Sequence, residues 1–492
     1  LAEVVVVGAG VGGLAAAARL AAAGHRVTVC ERAPEVGGKL GLLTRDGFRF
    51  DTGPSLVTLP QVFADFFRET GDPLEKVLDL VPLDPIARYR FGDGSRLDSC
   101  ADPFEFRRRI DDAFGGGAGS DWAQFWQRAE KIWDATYEPF LTSTLAGPRT
   151  LARYATRLND LATIAPGRSL RGLARTYLRD PRLQQFVERY ATYTGSDPRK
   201  APAALASVPY AELAFGGWYI AGGLRRLADA LLARCVEHHV TIRTSTEVTR
   251  ITANARGVTG VLLADGGRLP ADVVVANADA AHVYRDLIAV PSALRSLHQT
   301  TPSLSGFVLL LGLRGRTPGL AHHTVLFPPG RYDEEFDHVF GDPGRPVPDP
   351  TLYLSVPDDP DVRPDGHEAV FLLVNAARQG TGRGAVDWRT PGLAPRYADQ
   401  LLERLAERGY DVRDRILFRE IVTPADLEAK THAIGGAIYG TSSNGPRAAF
   451  LRPANRSIVP GLFLVGGSSH PGGGLPLVTL SAQIVAALVG PA

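Results

Sequence analysis

Val4-Val5-Val6-Val7-Gly8-Ala9-Gly10-Val11-Gly12-Gly13 decides how the first part of this 492-residue chain folds. Four consecutive valines have the β-branched, uninterrupted apolar character of a strand buried on both faces of a parallel sheet. Gly8, Gly10 and Gly13, with Gly12 in the same turn, then permit a tight reversal, close approach of backbone to a phosphate, and close packing of the next helix on the strand. The alanine- and leucine-rich run from Gly13 to Ala23 predicts that helix, stopped at Gly24, with its positive end aimed at a pyrophosphate. Arg26-Val27-Thr28-Val29-Cys30 predicts a second strand. It ends at Glu31, at the spacing where a carboxylate accepts hydrogen bonds from ribose hydroxyls. Arg32, next to it, is a cation able to receive a 2′-phosphate instead. The implied ligand is a dinucleotide.

Composition bounds the rest. With 45% apolar residues the chain can bury a large core, and its length suggests two or three structural units. Lysine plus arginine, 54, nearly equals aspartate plus glutamate, 53, so no global field draws nucleic acid or another polyanion. Cys30, Cys100 and Cys235 are far apart and lack metal-ligand spacing, which predicts no metal, no disulfide framework and a reducing, cytoplasmic setting. The apolar first 23 residues lack a basic start and are broken by glycines at dinucleotide spacing, so they are expected to fold as strand and helix rather than act as a signal peptide. No segment offers an unbroken apolar stretch long enough to span a bilayer, and any membrane contact is expected to be peripheral.

Other stretches return to the same nucleotide unit. Gly222-Gly223, a helix from Leu224 to Cys235, strands at Val240–Arg243 and Val248–Ala253, a hairpin around Asp265-Gly266-Gly267 and the run Ala271-Asp272-Val273-Val274-Val275-Ala276-Asn277-Ala278 predict its second part. Residues 102–210 are expected to be mostly helical. Arg149, Arg153 and Arg157, then Arg168, Arg171, Arg175, Arg179 and Arg182, recur at helical spacing among leucines and tyrosines. Such a face either lies on anionic lipid or is a solvated surface over the protein's own core. Gly306–Leu313 and Ala369–Val374 predict strands of a mixed sheet roofing a substrate cavity.

Gly37-Gly38-Lys39 and Phe48-Arg49-Phe50-Asp51-Thr52-Gly53-Pro54 resemble the early continuation of FAD-containing amine oxidases and desaturases. That resemblance favours FAD over NAD and adds Gly38, Lys39 and Gly53 to the cofactor set, with Val248 beside the adenine. Leu462-Phe463-Leu464-Val465-Gly466-Gly467-Ser468-Ser469-His470-Pro471-Gly472-Gly473-Gly474-Leu475-Pro476 resembles the strand, glycine turn and helix that close over the flavin ring in many flavoproteins. Gly466, Gly467, Gly473, Gly474 and Leu475 are the contacts it implies, and a helix N-terminus there would stabilise negative charge on the reduced ring.

Together with Ala214-Phe215-Gly216-Gly217-Trp218-Tyr219-Ile220-Ala221-Gly222-Gly223, Gly436-Ala437-Ile438-Tyr439-Gly440 and Phe450-Leu451-Arg452-Pro453, these motifs resemble the carotenoid, phytoene-type desaturase family along nearly the whole chain. The tail is most similar to the 1-hydroxycarotenoid 3,4-desaturase branch. The resemblance implies an α/β fold: a Rossmann-like FAD-binding domain from discontinuous segments (1–95, 215–290 and 436–492), an inserted mixed-sheet substrate domain (291–435) and a helical membrane-facing region (96–214). It implies hydride transfer from a lipophilic polyene to the flavin, since no side chain can accept hydride. Trp218, Tyr219 and Tyr439 are candidate cavity walls and His470 a candidate base, each equally readable as structural. A phytoene desaturase or carotenoid oxidase of the same family, a flavin amine oxidase and a non-catalytic prenyl- or lipid-binding protein remain as alternatives.

Overall fold

The valine strand, Glu3–Val7, lies at the centre of a five-stranded parallel sheet. The computed structural model describes residues 1–144, 163–165, 167–380, 384–445 and 448–492. In spatial order the sheet runs Leu462–Leu464, Val273–Ala276, Glu3–Val7, Arg26–Cys30, Thr241–Arg243. Three distant stretches of chain therefore build one sheet, with Val4 beside Val273 on one side and Val27 on the other. Val4 and Val6 are almost completely buried against helices on one face, while Val5 and Val7 pack on the other face against Val248, Val261 and Leu263. The helix Val11–Ala22 packs on the sheet between the helices Arg225–Glu237 and Leu475–Val489. Its alanines keep that approach close, and Ala15 to Ala18 are fully buried. A three-stranded antiparallel sheet, Val248–Asn254, Gly257–Leu263 and Arg268–Pro270, flanks this layer, with the expected hairpin at Asp265-Gly266-Gly267.

The second half is built on a seven-stranded mixed sheet. Its order is Ile416–Val422, Ser305–Arg314, His367–Ala376, Leu352–Ser355, His323–Leu326, Arg88–Arg90, Arg96–Asp98. Only the pair joining His323–Leu326 to Arg88–Arg90 is parallel. Its strand Ser305–Arg314, flanked on both sides, is buried along nine of its ten residues, so its sequence reads as a continuous apolar run rather than an alternation. Residues 88–98 pair into this sheet although 1–95 read as nucleotide domain, because these short strands find their ladder partners only at His323–Leu326.

The helical layer comprises Pro103–Phe114, Ala118–Thr136, Leu170–Tyr177, Pro181–Arg189 and Ser207–Phe215. Its apolar faces converge on one aromatic core that includes Phe106, Trp122, Phe125, Phe186 and Tyr190. The arginines of the sequence stripe divide here. Arg171 bridges Glu188 and Asp333, Arg179 meets Asp121 at 2.8 Å, and Arg182 meets Asp180 at 2.6 Å, so these three are tied into the protein's own surface. Arg149, Arg153 and Arg157 lie outside the described residues. Among the described residues no helix is long and apolar enough to cross a membrane.

Candidate active site

Two helix N-termini converge beside the central strand, and neither carries a side-chain cap. Gly10 stands at the head of Val11–Ala22 and Gly474 at the head of Leu475–Val489. The unbonded N–H groups and positive dipole ends suit an anionic ligand. The glycines are dictated by contact. A methyl on Gly13 would lie 2.2 Å from the Gly8 carbonyl oxygen, and one on Gly10 would meet Asn277 Oδ1 at 2.7 Å. Gly12 and Gly466 also face Asn277, whose Nδ2 donates to the Val465 carbonyl at 3.0 Å and whose backbone N–H donates to Val7. Asn277 thus locks the N-terminal loop to the C-terminal turn.

Glu31 closes the loop from the other side. Its carboxylate accepts from Ala9 N–H at 2.7 Å and from Ala33 N–H at 2.8 Å, using one lone pair of each oxygen and leaving others for a ligand. Val248 lies close to this corner, because Thr246 N–H bonds the Glu31 carbonyl, and Val248 itself packs with Val5, Val7 and Cys30. Arg32 points elsewhere: it donates to the Ala429 and Lys430 carbonyls and contacts His432, fixing the end of the Pro424–Thr431 helix.

Gly37 N–H bonds the Ala9 carbonyl at 2.8 Å, and a side chain on Gly38 would press on Gly10 Cα at 3.1 Å. Gly53 packs on the Lys39 carbonyl. Lys39 Nζ donates to the Ile438 carbonyl, and burial lowers its pKa while Asp279 opposes the shift. Asp51, in the same motif as Gly53, accepts from Leu224 and Arg225 N–H at 2.8 Å each, so its carboxylate caps the Arg225–Glu237 helix.

At the C-terminal turn Gly467, Gly473 and Gly474 stand one behind another. A methyl on Gly473 would lie 2.3 Å from the Tyr439 ring, one on Gly467 would touch Gly473 Cα at 3.4 Å, and one on Gly474 would meet nothing within 4 Å. The turn is wedged against Tyr439 on one side and open on the other. Leu475, the first residue of the helix, is buried beneath it. Arg452, in the Phe450-Leu451-Arg452-Pro453 motif, carries a role that its neighbours in sequence do not reveal. Buried itself, it donates to the carbonyls of Tyr439 at 3.0 Å, Gly467 at 2.8 Å and Thr441 at 2.6 Å. It clamps the Tyr439 segment to the glycine turn, and its burial brings its pKa down to about 10.

His470 is fully buried, its Nε2 donating to the Ser143 carbonyl at 2.8 Å and its ring edge-on to Phe140, whose backbone it also engages. Burial lowers its pKa to about 4, so the ring is neutral. Trp218 is half-buried and donates from Nε1 to the Phe215 carbonyl at 2.9 Å. Tyr219 turns its hydroxyl to Asp359 at 3.1 Å and packs within the nucleotide-side core. Of the three aromatics, Tyr439 is the one seen against the glycine turn.

Two uncapped helix ends, a glycine cradle and a carboxylate corner fit FAD, and the protein is an FAD-dependent oxidoreductase. The chain belongs to the flavin containing amine oxidoreductase family, whose model matches residues 11–490, and within it to the carotenoid desaturases and oxygenases. A 4,4'-diapolycopene oxygenase of Methylomonas sp. is 35% identical over 98% of this chain and 97% of its own length. The hydroxyneurosporene desaturase of Cereibacter sphaeroides is 35% identical over 98% of this chain and 96% of its own. A putrescine oxidase solved with putrescine bound covers 99% of each chain with a TM-score of 0.66 at 14% identity, a likeness of fold alone.

Proposed function

We propose that the protein is a carotenoid desaturase that introduces carbon–carbon double bonds into a long lipophilic polyene, acting on a hydroxylated intermediate. The observation that carries this is full-length similarity at 35% identity to an enzyme named for desaturating hydroxyneurosporene, together with a glycine turn open on one side beside Tyr439. When bound, FAD supplies the hydride acceptor that the chain itself lacks. Gly8, Gly10, Gly12 and Gly13 would hold its pyrophosphate, Glu31 and Val248 its adenosine half, and Gly38, Lys39 and Gly53 the segment leading towards the ring. Gly466, Gly467, Gly473, Gly474 and Leu475 would sit against the ring. Arg32, engaged by the carbonyls of Ala429 and Lys430, would act through the loop next to Glu31 rather than by direct contact.

The residues around the turn orient and exclude water. Tyr439 offers an apolar wall against which a rod-like polyene can lie, with Trp218 and Tyr219 further along the path. His470, held neutral by burial, would be the group to take the second hydrogen as a proton. A polyene dissolves in the bilayer, so the protein would draw it from a membrane surface, docking peripherally through the region that contains Arg149, Arg153 and Arg157. Incubating FAD-loaded protein with a panel of acyclic carotenoids and reading the product spectra tests the function. A red-shifted product of extended conjugation is expected, and no spectral change with any carotenoid alongside turnover of an amine would overturn it.

A further inference from the structure

The segment from Ile438 to Thr441, which presents Tyr439 to the glycine turn, is held by two cations. Lys39 Nζ donates to the Ile438 carbonyl. Arg452 donates to the carbonyls on either side of Gly440, those of Tyr439 at 3.0 Å and Thr441 at 2.6 Å, and reaches that of Gly467 at 2.8 Å. The Gly440 carbonyl accepts from Ser303 N–H at 2.8 Å. Every carbonyl of the segment is engaged, yet a carbonyl neutralises no charge. Two cations on one four-residue segment bring like charges together, which calls for an anion.

The anion comes from a third stretch of chain. Asp279 heads the short helix Ala280–His282, its Oδ1 accepting from Ala281 N–H at 3.0 Å. Next to it, Ala280 N–H donates to Ser468 Oγ at 2.9 Å, and a methyl on Gly440 would lie 2.6 Å from Ser468 Cβ. Ser468 therefore joins the Asp279 corner and the Ile438 to Thr441 segment to the glycine turn. Burial lowers the basicity of Lys39 and of Arg452, and the Asp279 charge opposes that loss in both. Burial in turn pushes the Asp279 carboxyl up, and Lys39 pulls it back. Lys39 is exposed and Asp279 partly so, yet both are desolvated, as for side chains that border a space enclosed by the chain rather than open water.

We propose that Asp279 is a positioning residue, the shared counterion of Lys39 and Arg452, and that through them it sets the reduction potential of the flavin, a role that rests on the flavin placement proposed above. Hydride transfer leaves negative charge on the ring, which nearby cations stabilise and a nearby carboxylate opposes. Arg452 holds the carbonyl of Gly467, a residue assigned to the ring, and Lys39 belongs to the segment leading towards it. With all three side chains charged, the cations outweigh the carboxylate and the site favours the reduced ring. Without the carboxylate that bias grows, and the reduced ring gives up its electrons less readily.

The test is the midpoint potential of FAD-loaded protein, read by reductive titration with dithionite against a reference dye. Asp279→Asn keeps an acceptor for Ala281 N–H and removes the charge. It should favour reduction by about tenfold, the scale of one unit charge acting through a protein interior, which for two electrons is about 30 mV upward. Lys39→Met should move the potential downward by a similar amount. The double variant should return close to wild type, an outcome that loosened structure would not give. Asp279→Ser, another neutral helix cap, supplies the answer if Asp279→Asn does not retain FAD. A potential unchanged or lowered in the neutral variants with FAD bound, or a double variant that fails to return, would overturn the counterion while leaving the flavin placement and the desaturase function standing. Wild-type protein that takes up no FAD would overturn the flavin placement and this inference together.

Discussion

Replacing Arg452 by Met should uncouple the glycine turn from the Tyr439 segment. The side chain holds three carbonyls, those of Tyr439, Thr441 and Gly467, from a site that is only 7% exposed. Hydrogen bonds from a charged donor contribute about 1.5–3 kcal/mol each, but the three share one guanidinium and do not add. Methionine fills much of the same volume, so the loss comes from stranded carbonyls rather than from a cavity. A destabilisation of about 3–5 kcal/mol is expected from up to three carbonyls left without a donor, at about 1–3 kcal/mol for each buried unsatisfied group. For a chain of this size that lowers the melting temperature by on the order of 3–5 °C. Thermal unfolding of FAD-loaded protein measures it, and FAD release followed by flavin fluorescence should accelerate in parallel. Arg452→Lys, which keeps the charge but loses the planar fork, should fall between. Melting within about 1 kcal/mol of wild type, with FAD release unchanged, would refute the clamp, since solvent or backbone would then be satisfying those carbonyls.

Glu31→Ala removes the acceptor for Ala9 and Ala33 N–H, and should weaken FAD binding by about 1.5–3 kcal/mol in a fluorescence titration; unchanged affinity would place the loop's organisation elsewhere. Gly10→Leu should abolish FAD uptake, because even its first carbon would stand 2.7 Å from Asn277 Oδ1 and the rest would fill the cradle; a yellow variant would refute that placement. His470, whose pKa burial depresses from 6.5 to about 4, takes up a proton on unfolding below pH 6.5, so its contribution is intact above that pH and is lost as pH falls towards 4, by about 3 kcal/mol at 1.36 kcal/mol per unit. Denaturant titrations should show that slope in wild type and a shallower one in His470→Asn. Changing Arg149, Arg153 and Arg157 together to Ser should reduce binding to anionic vesicles in a flotation assay, and equal binding by both proteins would assign the docking to another element.

The nucleotide half was legible because its signals are local. Four valines, glycines at fixed spacing and a strand ending at Glu31 each act on neighbours within a few turns of chain, and the valine strand and its helix appear at nearly the residues expected. What escaped was carried by distant partners or by backbone. Asn277 gains its meaning from Gly8 and Gly466, hundreds of residues away in either direction, and nothing near it in sequence distinguishes it from a strand-terminating asparagine. Arg452 binds three carbonyls, which have no side-chain signature to pair with it. The arginine stripe at Arg171, Arg179 and Arg182 resembled a lipid-facing surface because its counter-charges, Asp121, Glu188 and Asp333, come mostly from other elements. Short strands such as Arg88–Arg90 are too brief to show a period and take their identity from the ladder they join.

The parallel sheet receives its strand Leu462–Leu464 long after Glu3–Val7 and Arg26–Cys30 have been made. Leu462–Leu464 pairs with Val273–Ala276, and the Leu475–Val489 helix packs on Val11–Ala22, so elements separated by most of the described chain are neighbours. While the chain is still on the ribosome, Gly12 and Asn277 lack their cover from Gly466, and the apolar flank of the first helix waits for the Leu475–Val489 helix. Such long-range closure is slow and leaves sticky surface exposed in the interim. Nascent chains should therefore need shelter by chaperones until Leu475–Val489 has been made, and removal of that helix should yield insoluble protein rather than a smaller flavoprotein.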